Sequence, residues 1–270
     1  MKKAELKEQQ DIIYGIFQEF DRICNKHGIQ YSMEGGTLLG AVKYGNFVPW
    51  DDDIDVIMPR SEYNKFLKVA PQDLKQDYFL QSYHNVPEFP LNYAKLCYTK
   101  SKIYDYAYSH IKTMNHGIFI DIFPIDNIRP EKLKWQVHWI GLFTGARRVK
   151  LQIQMDGVCR WKLICYRIIA CLPMQVLNKA VDQICTRYNG NDTGYCYEVC
   201  NPNKRFRPLP AGIYVNLTRI KFRDHEFMAI ERFDEFLKSR FGEYYMEEIP
   251  EEDKRKPSHC QNILLEKVDE

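Results

Sequence analysis

Four carboxylates crowded into five positions are the feature that most restricts how this chain can fold. In "VPWDDDIDVIMPR" they stand directly in front of an apolar run; they are Asp51, Asp52, Asp53 and Asp55. Neighbouring anions repel one another, and buried carboxylates without a counter-charge are costly. The apolar continuation indicates a strand that enters the core, so the carboxylates would lie at its mouth. A divalent cation is the usual source of compensating charge at such a place.

The spacing of these acids predicts a metal site. Residues two apart on a strand point to the same side of a sheet, so Asp53 and Asp55 should converge, with Asp51 as a third ligand if the strand begins early enough. Asp121 stands between two isoleucines in "GIFIDIFPID", where a lone acid is costly unless it is paired or metal-bound. We therefore predict that these four aspartates hold Mg²⁺ or Mn²⁺. Asp126, five residues further on, is expected to serve a turn.

A glycine pair lies upstream of the acids, where a predicted strand gives way to a helix. In "EGGTLLG", Gly35 and Gly36 allow close backbone approach, and a helix N-terminus presents N–H groups to an anion. Thr37 adds a hydroxyl, so we predict a phosphate-binding turn. Two cations are candidates for the same phosphate. If Lys95 does not bind phosphate, it is a lysine on a strand that faces solvent. If Arg60 does not bind phosphate, it neutralises the aspartates or ends the strand.

Other interpretations of the acidic segment stay open at this stage. A solvated charged face conflicts with the apolar run that follows, and an EF-hand loop would need glycine where Val56 stands. A metal-dependent glycosyltransferase that uses a nucleotide sugar would also carry an Asp-x-Asp pair. It should not require Asp121, so mutation of that residue distinguishes it. A non-catalytic module that binds divalent ions or nucleotides is a further alternative.

The composition is that of a globular protein. The chain has 270 residues, of which 45% are hydrophobic and 27% charged, which is enough for one large core. No window of about 18 uncharged apolar residues predicts a membrane-spanning helix, and the first residues do not resemble a signal peptide. Nine cysteines without an export signal indicate reduced thiols and a cytoplasmic protein.

Charge is unevenly distributed, although the net charge is only +2. Residues 131–188 contain ten Lys or Arg and three acids, and an apolar stripe that includes Trp161, Ile164 and Ile168 follows helical spacing. Basic amphipathic helices bind anionic interfaces. Peripheral contact with the inner face of a membrane is therefore one interpretation of this segment, and an ordinary solvated face is the other.

The order of elements predicts an α+β fold. An amphipathic helix is predicted over 4–26 and a strand over 53–59, "DIDVIMP". Strands and helices alternate up to about residue 126, and long helices are predicted over 131–155 and 158–188. We expect a mixed β-sheet with flanking helices in a single catalytic domain, 1–270. Its core would cover about 10–126 and 211–270, and a helical insertion would cover about 131–190.

Taken together, the motifs resemble those of the LicD family within the nucleotidyltransferase superfamily. The residues that carry the resemblance are "GGTLLGAVKYGNFVPWDDDIDVIMPR", "GIFIDIFPID" and the later "FGEYYMEEIPEEDKRKPSH". The resemblance is close over residues 10–126 and returns near 212–259. It implies a nucleotidyltransferase-like sheet.

The resemblance also implies a reaction. LicD proteins transfer phosphocholine or a similar phospho-alcohol from a CDP-activated donor to a hydroxyl of a surface glycan, and fukutin-type enzymes, which move ribitol phosphate, share the core. We therefore expect Asp53, Asp55 and Asp121 to be catalytic, Arg255 and His259 to contact the donor, and CMP to leave. The expected partners are a CDP-linked donor and a glycan acceptor, with a polyprenyl carrier left open, and no nucleic acid.

Overall fold

The fold is described by a computed structural model that covers residues 5–103, 108–201 and 208–248, with the backbone of two short strands at 2–3 and 263–265. In chain order the elements are β1 (Lys2–Lys3), α1 (Leu6–His27), β2 (Ser32–Met33), α2 (Gly35–Tyr44), β3 (Asp55–Pro59), α3 (Arg60–Asp73), β4 (Tyr78–Gln81), β5 (Ala94–Tyr98), β6 (Ser101–Ile103), β7 (Phe119–Asn127), α4 (Pro130–Lys150), α5 (Arg160–Ile169), α6 (Met174–Cys185), β8 (Tyr195–Tyr197), β9 (Leu209–Pro210), a 3₁₀ turn (Ala211–Tyr214), β10 (Leu217–Phe222), β11 (His225–Ile230), α7 (Phe233–Phe241) and β12 (Ile263–Leu265).

A mixed sheet forms the centre of the fold, with strand order β2-β3-β7-β5-β4. β3 and β7 run parallel, whereas β2 pairs with β3, and β5 with β7 and β4, in antiparallel fashion. β8 and β9 extend the sheet from the end of β7, β10 and β11 form a hairpin, and β1, β12 and β6 form a separate three-stranded sheet. The predicted α+β architecture, a mixed sheet with flanking helices, is confirmed.

The apolar face of α1 shows why the predicted first helix packs as it does. Ile13, Ile16, Phe17 and Phe20 recur at helical spacing and are at most 1% exposed. The Phe17 ring stacks on that of Phe227 in the β10–β11 hairpin, with 3.7 Å between centroids. Burial of each such side chain contributes about 1.5–3 kcal/mol, so α1 ties the hairpin to the sheet.

The helices between β7 and β8 differ from the expected pair. α4 ends at Lys150, and the predicted second helix is divided into α5 and α6. Pro173 causes the division, because proline lacks a backbone N–H and disfavours the helical conformation of the residue before it. α4 is anchored by Arg147, which is fully buried and donates to Asn92 Oδ1 and to the carbonyl oxygen of Phe89, both at 2.5 Å.

Candidate active site

A row of charged side chains crosses four neighbouring strands at one end of the central sheet. Asp55 of β3 is in register with Asp121 of β7, which is in register with Lys95 of β5. Glu34 directly follows β2 and donates its backbone N–H to the carbonyl oxygen of Asp55 at 3.0 Å, so it extends the β2–β3 pairing by one residue. Residues opposite one another present their side chains on the same face. Glu34, Asp55, Asp121 and Lys95 therefore form one charged row.

Asp51 and Asp53 lie on the extended segment that leads into this row. The strand predicted over 53–59 begins at Asp55, because regular pairing with β2 and β7 starts there. The alternation of a strand nevertheless continues upstream, since Asp52 and Ile54 are buried while Asp51 and Asp53 are partly exposed. Asp51 and Asp53 thus lie on the side of Asp55, and Asp52 faces the other way.

Two glycines of α2 shape the path of this segment. A Cβ atom on Gly36 would lie 2.5 Å from Asp51 Oδ2, so only glycine leaves room for that carboxylate. A Cβ atom on Gly40 would lie 2.5 Å from the carbonyl oxygen of Asn46 and 2.9 Å from the backbone nitrogen of Val48. The turn before the acids therefore packs directly on the helix. The motif "GGTLLG" therefore has a structural role, which is to position the acidic segment. This role is separate from its predicted contact with phosphate.

Negative charge exceeds positive charge at this end of the sheet. Burial, with Asp53 as the next largest cause, raises the pKa of Asp51 to about 8. Burial also raises the pKa of Asp55 well above its ordinary value, with further contributions from Asp53, Asp121 and Glu34. Burial is the larger cause of both shifts, and the neighbouring carboxylates add to it, as expected for acids crowded together.

Lys95 supplies positive charge at the β5 end of the row, next to Asp121. Its Nζ lies 2.9 Å from Asp121 Oδ1 and packs over the ring of Phe119. The side chain is 11% exposed, so the ammonium group is held against the carboxylate away from bulk water. The structure therefore brings Lys95 to the aspartates, where it can meet an anionic ligand as well as Asp121.

The donor set fits a hard divalent cation. Asp53, Asp121 and Asp51 all lie near enough to Asp55 to contribute to its raised pKa, and carboxylate oxygens are the ligands that Mg²⁺ and Mn²⁺ prefer. Within the described residues, no three His, Cys, Asp or Glu side chains are arranged to hold an ion by themselves. Mg²⁺ commonly takes only one or two protein carboxylates and completes its shell with substrate phosphates and water. This arrangement suits an ion that is shared with a phosphorylated ligand.

Glu34 is held by a distant cation that sequence reasoning missed. Arg240, near the end of α7, contacts Glu34 at 2.9 Å and Glu198 at 2.7 Å, and all three side chains are less than 10% exposed. Burial, followed by the charge on Glu34, raises the pKa of Glu198 well above its ordinary value. Arg240 bridges the Glu34 and Glu198 carboxylates and thereby fixes the Glu34 carboxylate in the charged row. The local sequence feature that could have pointed to Glu34 as a site residue is its position directly before Gly35 and Gly36.

Gly35 and Thr37, the other two residues of the predicted phosphate-binding turn, lie in the first turn of α2. Gly35 opens α2 with a φ of 50°. Thr37 Oγ1 accepts a hydrogen bond from the backbone N–H of Asp55 at 2.9 Å. Thr37 therefore ties the start of α2 to the start of β3, and the N-terminus of α2 lies beside the charged row.

Arg60 is not brought to the aspartates. It follows the opposite end of β3, where its guanidinium donates to both oxygens of Asp126 at 2.7 and 2.5 Å. Asp126 lies inside β7 and is fully buried, so the expectation that it serves a turn is wrong. The partner of Asp126 is the first residue of α3, 66 positions away, so local sequence does not reveal the pair. Arg255 and His259 lie outside the described residues.

Comparison with known proteins identifies the domain that carries these residues. The family model of the LicD/FKTN/FKRP nucleotidyltransferase domain matches residues 28–149. The chain is 28% identical to the lipopolysaccharide cholinephosphotransferase LicD of Haemophilus influenzae, over 98% of this chain and 100% of that protein. It is 52% identical to human ribitol 5-phosphate transferase FKRP over 29 residues, which are 11% of this chain and 6% of FKRP. The charged row lies within the matched domain, and the full-length similarity extends beyond it. The chain is similar to LicD over nearly its whole length, and residues 28–149 match the LicD/FKTN/FKRP nucleotidyltransferase domain.

Proposed function

We propose that this protein transfers a phospho-alcohol, with phosphocholine as the first candidate, from a CDP-activated donor to a hydroxyl of a surface glycan. Lipopolysaccharide, teichoic acid and capsule are the glycan classes to be considered. The coarse activity, phosphotransfer to a glycan, is supported by similarity to LicD over 100% of that protein and to FKRP over a short segment. The observation that carries the proposal is the charged row, with Asp51 and Asp53 beside it.

Asp51, Asp53 and Asp55 would hold Mg²⁺ or Mn²⁺, which when bound supplies positive charge to the donor diphosphate. The protein's own residues would position the donor and neutralise its remaining charge. Phosphoryl transfer depends on positioning and charge neutralisation more than on covalent help. The N-terminus of α2 at Gly35 and Gly36 would orient donor phosphate through backbone N–H groups, and Lys95 would neutralise charge on the transferred group.

Asp121 is the proposed proton acceptor. The acceptor hydroxyl attacks the phosphorus atom that bears the alcohol, and a new P–O bond forms as the bond to the bridging oxygen breaks. CMP leaves with that oxygen, and the hydroxyl proton passes to the Asp121 carboxylate. Lys95 Nζ, 2.9 Å from Asp121 Oδ1, would hold the carboxylate in place until the proton moves.

A single assay tests the proposal. The protein is incubated with CDP-choline, CDP-ethanolamine, CDP-glycerol or CDP-ribitol, Mg²⁺ and a panel of glycan acceptors, and CMP and the modified glycan are measured. We expect both products from one CDP compound, and loss of both in Asp121→Asn. Asp156→Asn, which changes an exposed aspartate, is the matched control. Nucleotide-sugar turnover, or binding of CDP compounds without CMP release, would overturn the proposal.

A further inference from the structure

Helix α5 presents its apolar side to solvent. It has no fully buried residue, and Trp161, Ile164 and Ile168 are 61%, 57% and 66% exposed. These three residues follow the i, i+3, i+7 spacing of one helix face and are named the exposed stripe. An amphipathic helix of a globular protein normally buries such a face. The exposed stripe therefore lacks a partner within the part of the chain that the structure describes.

The packing of α5 shows that the outward orientation is built in. The α5 side that contacts α4 carries Tyr166 and Ile169, which are partly buried. A Cβ atom on Gly145 of α4 would lie 2.5 Å from the Tyr166 ring, so the glycine permits a close helix–helix contact at this face. The contact fixes the rotation of α5 about its axis. The exposed stripe consequently lies beside the α4–α5 contact and stays open to solvent.

The apolar surface continues from α5 onto α4. Trp139 of α4 is 37% exposed and lines, with Leu142, Trp161 and Ile168, a groove of about 560 Å³ between the two helices. Trp135, one turn earlier, is 41% exposed. Three of the four tryptophans in the chain therefore lie on this surface, and tryptophan is the side chain most suited to the boundary between apolar and aqueous phases.

Positive charge borders the exposed stripe on both sides. Arg160 and Arg167 flank it on one side of the helix and Lys162 on the other, and all three are exposed. Residues 157–181 contain no Asp or Glu. Among the described helices, none is by itself long and apolar enough to cross a bilayer, and α5 and α6 pass that test only jointly across a 111° bend.

We infer that the exposed stripe docks onto an anionic lipid surface, with α5 lying in the plane of the interface. Apolar side chains would enter the headgroup boundary, and the flanking cations would meet lipid phosphate. A symmetric dimer through the same face fits poorly, because it would bring these arginines and the lysine against their own copies with no acid from 157–181 to pair them. Charge complementarity therefore selects an anionic bilayer over a second copy.

Vesicle flotation of the full chain tests this inference without any donor or acceptor, so it stands apart from the proposed function. The protein is mixed with vesicles of phosphatidylcholine alone or with one third phosphatidylglycerol, at low and high salt. We expect flotation with the anionic vesicles at low salt and weaker binding at high salt. Failure to float with anionic vesicles at low salt overturns the inference.

Matched variants distinguish vesicle binding through the exposed stripe from non-specific binding by the rest of the protein surface. Trp161→Glu/Ile168→Glu should lower vesicle binding at least about tenfold, whereas Val215→Glu/Tyr244→Glu adds the same charge at side chains that are 71% and 77% exposed elsewhere. The second pair should float like a protein that has only lost two units of net charge. Equal loss in both pairs would overturn the assignment. Unchanged circular dichroism and thermal midpoint confirm folding of every variant.

The cationic border has its own control. Removal of each cation near an anionic surface should weaken binding about fivefold, so Arg160→Gln/Lys162→Gln/Arg167→Gln is compared with a triple variant of equal charge change. That control neutralises exposed lysines elsewhere; they are Lys65, Lys68 and Lys221.

Brominated phospholipids locate the contact directly. They should quench the fluorescence of the wild-type protein and quench Trp161→Phe less. Equal quenching of the two proteins would overturn the inference. A dimer in light scattering that Trp161→Glu/Ile168→Glu dissociates, without any vesicle binding, would assign the face to a second copy instead.

Discussion

Carboxylates stand at both ends of the parallel β3–β7 pair, and the two ends differ in charge balance. At one end Asp55 and Asp121 are in register, and the pKa of Asp55 is raised well above its ordinary value by burial and by its acidic neighbours. At the other end Asp126 accepts two hydrogen bonds from Arg60 and one from Asn189 at 2.6 Å. Both ends bury charge, but at the second end the protein itself supplies the counter-charge.

The comparison separates a structural charge pair from a ligand site. A buried carboxylate with a bidentate arginine partner needs nothing from outside, and its loss harms folding. Crowded carboxylates with raised pKa values are retained at a cost to stability, which is the pattern expected where a ligand completes the charge balance. The two ends should therefore respond in opposite ways to neutralising substitutions.

The largest expected effect is on turnover at the unbalanced end. Asp55→Asn should lower the rate of CMP release by about 10³-fold, because a charge that neutralises the bound ion is lost. The thermal midpoint of the protein without metal should stay equal or rise, since the change relieves repulsion. Steady-state kinetics and a melting curve check both halves, with Asp156→Asn as control. Wild-type kinetics in Asp55→Asn would contradict the assignment of Asp55 to the active site.

The balanced end should respond in stability. Asp126→Asn leaves the buried Arg60 guanidinium without its counter-charge and should lower the free energy of unfolding by about 3–5 kcal/mol. Replacement of both partners, as Arg60→Met/Asp126→Leu, should recover most of that loss, because the charges are removed together. Urea unfolding measures both variants. Equal stability of Asp126→Asn and wild type would contradict a structural role for the pair.

Stabilisation by added metal should also distinguish the two ends of the β3–β7 pair. Mg²⁺ or Mn²⁺ at 100 times its Kd should stabilise the wild-type protein by about 2.7 kcal/mol. Asp55→Asn should lose this response, and Asp126→Asn should retain it although it melts earlier. Thermal melting with and without the ion is the measurement. Equal loss of the response in the two variants would mean that the ion does not bind at the unbalanced end.

Arg240 sharpens the comparison because it balances only one member of the charged row. Arg240→Gln should release Glu34 and lower kcat about 10–100-fold, with a smaller change in KM, as for other residues that orient a metal or substrate ligand. A weaker Mg²⁺ stabilisation is the readout that a purely structural role would not produce. Arg232→Gln removes an exposed arginine just before the same helix and serves as control. Equal behaviour of the two variants would remove Arg240 from the site.

The smallest predicted effect comes from packing beside Asp51. Gly36→Ala places a methyl group 2.5 Å from Asp51 Oδ2, so the carboxylate must move and activity should fall about tenfold. Gly141→Ala is the matched change inside α4, where nothing lies within 4 Å of the added atom. It should leave activity intact and raise stability by about 0.5–1 kcal/mol. The idea fails if Gly36→Ala is as active as Gly141→Ala.

Much of the fold and part of the site could be predicted from local pattern. Helical spacing located α1, and the apolar run after Asp55 located β3, because both signals depend on residues only a few positions apart. The strand boundary was placed two residues early, since ladder pairing rather than propensity decides where β3 begins. Asp126 was misassigned to a turn because its partner Arg60 is 66 positions away.

By itself, the sequence determined which chemistry was available: alternating aspartates before an apolar strand, and glycines where a helix approaches them. These are local properties of side-chain period and backbone freedom. Only the tertiary structure decided which charges meet. Strand register set Lys95 against Asp121, and α7 carried Arg240 to Glu34. The same packing turned Arg60 to Asp126 and left the stripe of α5 facing outward. Such pairings depend on contacts between residues far apart in the chain, and no local pattern encodes them.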